Sequence, residues 1–113
     1  MSSITTHILD TARGTPAAEV EISLHKLENN HWIDIGGGIT NADGRVTNLC
    51  DQQPNLSAGT YKMHFATGDY FSNRGDAVFY PYAEVVFVIG MNTAHYHIPL
   101  LLSPFGYSTY RGS

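Results

Sequence analysis

The sequence predicts an all-β fold, a sandwich or barrel of about eight short strands with one short helix near residues 69–75. Two observations carry that expectation. Most apolar residues alternate with polar ones at a period of two, as half-buried strands require, and the alternating segments are separated by Gly, Pro, Asn and Asp turn signals. A chain built this way buries one face of each strand and closes on itself in two layers.

In chain order, residues 4–10 form a first strand, with Ile4, Thr6 and Ile8 on one face and Thr5, His7 and Leu9 on the other. Arg13-Gly14-Thr15-Pro16 reads as a turn. Residues 20–27 make a second strand, with Val20, Ile22, Leu24 and the stem of Lys26 on one face. Glu28-Asn29-Asn30 turns the chain into a return strand over 31–35, and Gly36-Gly37-Gly38 suggests a bulge or a close backbone approach. Asn41-Ala42-Asp43-Gly44 is a turn, followed by a short strand over 45–49 and a loop over 51–59. Residues 60–67 alternate again, with Tyr61, Met63 and Phe65 together. Residues 69–74 fit one or two helical turns with Gly75 as the stop. A β-branched strand over 82–89, a turn over 90–93, and a hairpin of 95–102 with 107–111 complete the chain.

Composition narrows the function classes. At 113 residues the chain is expected to be one domain, 1–113, with a single core. Ten acidic against six basic side chains give a net charge of −4 with no basic cluster, which excludes a nucleic-acid partner held through phosphates. The apolar runs are far too short to cross a membrane as helices. The opening residues show no basic region followed by an apolar run, so a cytoplasmic location is expected. A single cysteine, Cys50, rules out an intrachain disulfide.

The chemically capable residues concentrate at the end of the chain. In a strand His95 and His97 project from one face, while Tyr96, Ile98, Leu100 and Leu102 project from the other, the core face. His97, Pro99 and Leu101 then join His7 and Leu9 on an outer face that is half apolar, suited to a partner subunit or a ligand cleft. For His7 and His97 the functional reading is general acid and base chemistry near neutral pH. The alternatives are a packing role, or a zinc site, functional or adventitious, on His7, His95 and His97. Arg45, after Asp43-Gly44, offers paired donors to a planar, oxygen-rich ligand, or is simply a solvated hairpin arginine. Arg111 carries the same ambiguity, and Ser113 offers a hydroxyl beside the terminal carboxylate or is simply the end of a disordered tail.

Together, Thr6-His7-Ile8-Leu9-Asp10, Arg13-Gly14-Thr15-Pro16-Ala17, Asp43-Gly44-Arg45, the run from His97 to Pro104, and Tyr107-Ser108-Thr109-Tyr110-Arg111-Gly112-Ser113 resemble the 5-hydroxyisourate hydrolases, enzymatic relatives of transthyretin. The terminal Tyr110-Arg111-Gly112-Ser113 is the specific part of the likeness. The resemblance implies a transthyretin-like (prealbumin) two-sheet sandwich, with the first, short fourth, seventh and eighth strands in one sheet. It also implies a homotetramer, a dimer of dimers with sites between the dimers, that needs no cofactor. By the resemblance His7, Arg45, His97 and Ser113 are catalytic, and Tyr110, Arg111, Gly112, Leu9 and Pro99 line the substrate pocket. The implied reaction opens a cyclic amide in 5-hydroxyisourate, a small-molecule substrate of urate degradation.

Overall fold

The computed structural model describes residues 3–50, 56–91 and 94–112; Ser113 and parts of the expected 51–59 loop and 90–93 turn lie outside them. Eight strands and one helix follow in the order β1 (Ser3–Asp10), β2 (Thr15–Pro16), β3 (Glu21–Glu28), β4 (His31–Ile39), β5 (Gly59–Phe65), α1 (Thr67–Asn73), β6 (Ala83–Ile89), β7 (His95–Ser103) and β8 (Gly106–Thr109). They form two four-stranded sheets, β2-β1-β7-β8 and β4-β3-β5-β6. The central pair of the first sheet, β1 and β7, is parallel; the other pairs are antiparallel.

The core lies between the sheets and is filled by the faces that alternation assigns to it. Ile4 and Ile8, Ile22 and Leu24, Tyr61, Met63 and Phe65, and Tyr96, Ile98, Leu100 and Leu102 are all buried. Each such side chain, fully removed from water, contributes about 1.5–3 kcal/mol. The one-residue offset that would turn His7 and His97 inward would also expose this set, so the core fixes the outward facing of the histidines.

One expected strand is absent. Residues 45–49 make only an isolated bridge, Arg45 with His7, and the two residues Thr15 and Pro16, expected to be turn, take the remaining edge of β1 instead. The cause lies in the glycine run. β4 continues through Gly36-Gly37-Gly38, with Ile35 as the extra residue of a bulge opposite Leu24 and His25. A Cβ at Gly36 would strike the carbonyl of Leu49, and one at Gly38 the side chain of Val46. The glycines thus let the 45–49 segment cross close over β4, where Val46 and Leu49 enter the core rather than extending along β1.

The helix starts two residues earlier than the polar run suggested, because Thr67 and Gly68 are buried and the Gly68 N–H bonds to the carbonyl of Pro81. It stops as expected at Gly75 (φ +79°), where Gly75 N–H to Ser72 and Asp76 N–H to Phe71 close a Schellman turn. Tyr70 on α1 donates to the buried Asp10 carboxylate at 2.7 Å, tying the helix to the end of β1. Burial, and then that hydrogen bond, push the Tyr70 hydroxyl up to about 12. Beyond β8 the chain returns to a bridge between Gly112 and His97, so the last pairing extends further than the strand itself.

Candidate active site

Arg45 is placed by a turn rather than by a strand. Asn41 accepts from the N–H groups of Asp43 and Arg45 through its side-chain oxygen (2.9 and 3.1 Å), and its own N–H donates to the Arg45 carbonyl at 2.8 Å. Gly44 takes a left-handed conformation (φ +75°) and is buried against β1, where its carbonyl accepts the Ile8 N–H at 2.9 Å. A Cβ there would collide with the carbonyl of Ile8, so glycine is required both for the turn and for the approach. The docked turn sets Arg45 opposite His7 in an antiparallel bridge, and bridge partners project from the same face. Arg45 itself is exposed.

The parallel register of β1 and β7 supplies the rest of the face. Thr5 pairs with His97, His7 with Pro99 and Leu9 with Leu101. Strand rise and spacing put the His7 and His97 backbones about 8 Å apart diagonally, room for a water or a small planar group between the two rings. Both histidines are half-buried, Leu9 and Leu101 are likewise half-buried, and Pro99 is buried beneath its neighbours. The Thr5 hydroxyl lies 2.8 Å from His97 Nδ1, which leaves Nε2 as the nitrogen that can meet a substrate. Burial holds the His97 imidazole below the ordinary histidine value, with the positive charge of Arg45 next and His95 and His7 adding to it; a hydrogen bond to the Thr5 backbone opposes the shift. A neutral imidazole beside a fixed guanidinium can accept a proton while the arginine faces developing negative charge.

The tail closes over this face. β8 pairs Thr109 with Leu100 and Ser108 with Leu101, and the same register carried onward brings Gly112 opposite His97. The Gly112 N–H donates to the His97 carbonyl at 2.7 Å. A Cβ on Gly112 would stand 2.6 Å from His97 Cδ2, so the glycine lies directly against the imidazole. Arg111 departs from the expectation of a pocket-lining residue on the His97 face. Alternation turns it to the other side, where its guanidinium covers the Tyr96 ring at 4.6 Å in a groove shared with Val86, Val88 and Ile98. Tyr110 is exposed at the rim of that groove.

The structure therefore brings His7, Arg45, His97, Gly112, Leu9 and Pro99 to one face of one sheet. It places Arg111 on the opposite side, and Ser113 lies outside the described residues. His95 does not join His7 and His97 as a metal set: its Nδ1 lies 2.7 Å from the Ser3 hydroxyl and its Nε2 3.0 Å from the Thr5 hydroxyl. Among the described residues no group of three His, Cys, Asp or Glu side chains stands together to hold an ion. His25, His31 and His64 belong to the opposite sheet, where His64 bonds Glu84 at 2.9 Å. Thr5 is the residue of this face that sequence reading passes over. Parity places it beside His7, but only the β1–β7 register reveals that it meets His97.

A two-sheet sandwich with a His-Arg-His cluster on the outer face of one sheet, closed by its own C-terminal strand, belongs to the transthyretin class of folds. The chain matches the HIUase/Transthyretin family over residues 4–112 and is a member of it. It is 46% identical to the 5-hydroxyisourate hydrolase of Mus musculus, covering 99% of this chain and 96% of the mouse protein. The structure of Klebsiella pneumoniae 5-hydroxyisourate hydrolase superposes with a TM-score of 0.87 at 40% identity, covering all of both chains. Sea bream transthyretin, solved in complex with thyroxine, has a TM-score of 0.86 at 36% identity, covering 96% of this chain and 93% of that one.

Proposed function

We propose that this protein is a 5-hydroxyisourate hydrolase, opening the cyclic amide of the six-membered ring in the cytoplasm and without a cofactor. The observation that carries the reading is the convergence of His7, Arg45 and His97 on one half-apolar face, in a chain of this family. An amide carbonyl needs an activated water and stabilisation of the oxyanion that forms on attack. His97, kept neutral by burial and by Arg45, takes the proton of the attacking water at Nε2. His7 passes a proton to the leaving nitrogen. Arg45 orients the substrate's carbonyls and faces the oxyanion. Leu9 and Pro99 form the apolar floor, while Tyr110, Gly112 and Ser113 close the wall of the pocket. Arg111 serves this wall from behind, by anchoring the tail on Tyr96. The product is the ureidoimidazoline 2-oxo-4-hydroxy-4-carboxy-5-ureidoimidazoline.

The active form in this reading is a homotetramer, a dimer of dimers with its sites between the dimers. What supports it is the apolar share of the site face, Leu9, Pro99 and Leu101, together with the exposed Val86 and Val88 on the edge strand β6 and Tyr107 on the edge strand β8. Such surfaces favour a second copy over open water. No helix among the described residues is long and apolar enough to cross a membrane.

The test is the ultraviolet decay of freshly generated 5-hydroxyisourate, with sedimentation of each variant. Alanine at His7, Arg45 or His97 is expected to lower turnover by about 100-fold or more with the assembly intact. Saturable binding of small aromatic ligands with no acceleration of that decay would instead make the protein a carrier.

A further inference from the structure

We propose that Thr5 is a positioning residue for the hydrolysis above, which with His95 behind it fixes the tautomer of His97 so that Nε2 faces the substrate unprotonated. The proposal rests on the functional reading given above and extends it to residues outside the His-Arg-His cluster. Four side chains form an unbroken chain along the seam of β1 and β7. The Ser3 hydroxyl lies 2.7 Å from His95 Nδ1, His95 Nε2 lies 3.0 Å from the Thr5 hydroxyl, and that hydroxyl lies 2.8 Å from His97 Nδ1.

A threonine hydroxyl has one proton to give. When it donates to His95 Nε2, it accepts from His97 Nδ1–H, and His95 in turn donates from Nδ1 to Ser3. In that orientation His97 carries its proton on Nδ1 and presents a lone pair at Nε2, the form a general base needs. The opposite orientation puts the proton on Nε2 and disables the base. Taking a proton from water turns His97 into an imidazolium with both nitrogens protonated, and only the first orientation then lets the Thr5 hydroxyl accept from Nδ1–H. The Thr5 backbone favours protonated His97 as well, as an acceptor does and a donor does not.

His95 thus takes the place that a carboxylate occupies behind the histidine of a hydrolytic triad, with a neutral hydroxyl between. The groups that act on His97 are Arg45, His95 and His7 by charge and Thr5 by hydrogen bond, and Gly112 packs on its ring. Among the described residues no carboxylate is one of these groups. The orientation of the ring's proton therefore depends on Thr5, through its hydroxyl chain and its backbone.

The test compares Thr5→Val, which keeps the branched shape, with Thr5→Ser, which keeps the hydroxyl, using the full-length protein. Thr5→Val is expected to lower kcat about tenfold, equivalent to ~1.4 kcal/mol, about the worth of one hydrogen bond, with little change in KM. Thr5→Ser is expected to restore most of the rate. His95→Phe is expected to lose activity in the same direction and to move the acidic limb of the pH–rate profile. In parallel, nitrogen NMR of histidine-labelled protein reads the His97 tautomer directly, with the proton on Nδ1 in the native chain and on Nε2 or mixed in Thr5→Val. An unchanged tautomer in Thr5→Val, or equal losses in the valine and serine variants, overturns the proposal. If the native protein does not hydrolyse 5-hydroxyisourate, the functional reading fails, while the NMR result still decides whether Thr5 sets the tautomer.

Discussion

Gly112→Ala isolates the contact between the tail and the catalytic face. The added Cβ would stand 2.6 Å from His97 Cδ2, 3.2 Å from Cγ and 3.4 Å from Cβ. Ordinary carbon–carbon contact requires the ring or the tail to give by about 0.8 Å. If the ring moves, the imidazole leaves its place over the substrate, and a displacement of about 1 Å at a reacting group costs about 100-fold in rate. If the tail moves, the hydrogen bond from Gly112 N–H to the His97 carbonyl at 2.7 Å is stretched, at about 0.5–1.5 kcal/mol. The contact is on the outer face, so the core is untouched. The expected result is a fall in kcat/KM of about 10- to 100-fold with a melting temperature lowered by no more than about 8 °C. The assay is the ultraviolet decay of fresh 5-hydroxyisourate beside a thermal melt. Turnover within about twofold of the native protein would show that the tail does not hold His97, whatever the melt does.

Three further outcomes are expected. His97 should titrate below the ordinary histidine value of about 6.5 by NMR. The rate then falls as pH drops through that lowered value, and stability falls with it, because the unfolded chain binds the proton more readily. Arg45→Met should move the titration upward, and a His97 that titrates at or above 6.5 refutes the assigned environment. Tyr70→Phe removes the hydroxyl that donates to buried Asp10 and should destabilise the fold by about 1–3 kcal/mol in denaturant melts; an unchanged midpoint would mean that the bond contributes nothing net. Deleting Ser113 alone should depress turnover while leaving the melt unaltered, and full activity in that variant would remove Ser113 from the site.

The strand faces were legible in the sequence because burial alternates with a period of two. That is why the outward placement of His7, Leu9 and His97 follows from strand alternation alone. The turn at Asp43-Gly44 was legible for the same local reason, since few residues other than glycine accept the conformation it needs. The glycine run was legible only as a signal of something close. That the close object is the 45–49 segment, and that it thereby reduces an expected strand to a single bridge, depends on residues distant in sequence. Arg111 shows the limit from the other side. The resemblance makes it a pocket residue, but the same alternation that turns Gly112 toward His97 turns Arg111 away, onto Tyr96.

By itself, then, the sequence determined which residues alternate into the core, where the chain must turn, and which polar groups are left on the outer face, since these follow from local sterics and from the transfer of apolar side chains out of water. Tertiary structure alone decided the parallel register of β1 and β7, the crossing of the 45–49 segment, and the return of the tail. Those are pairings between segments far apart in the chain, chosen by the fit of whole faces. They put Arg45 beside His7, Thr5 beside His97, and Gly112 against the imidazole.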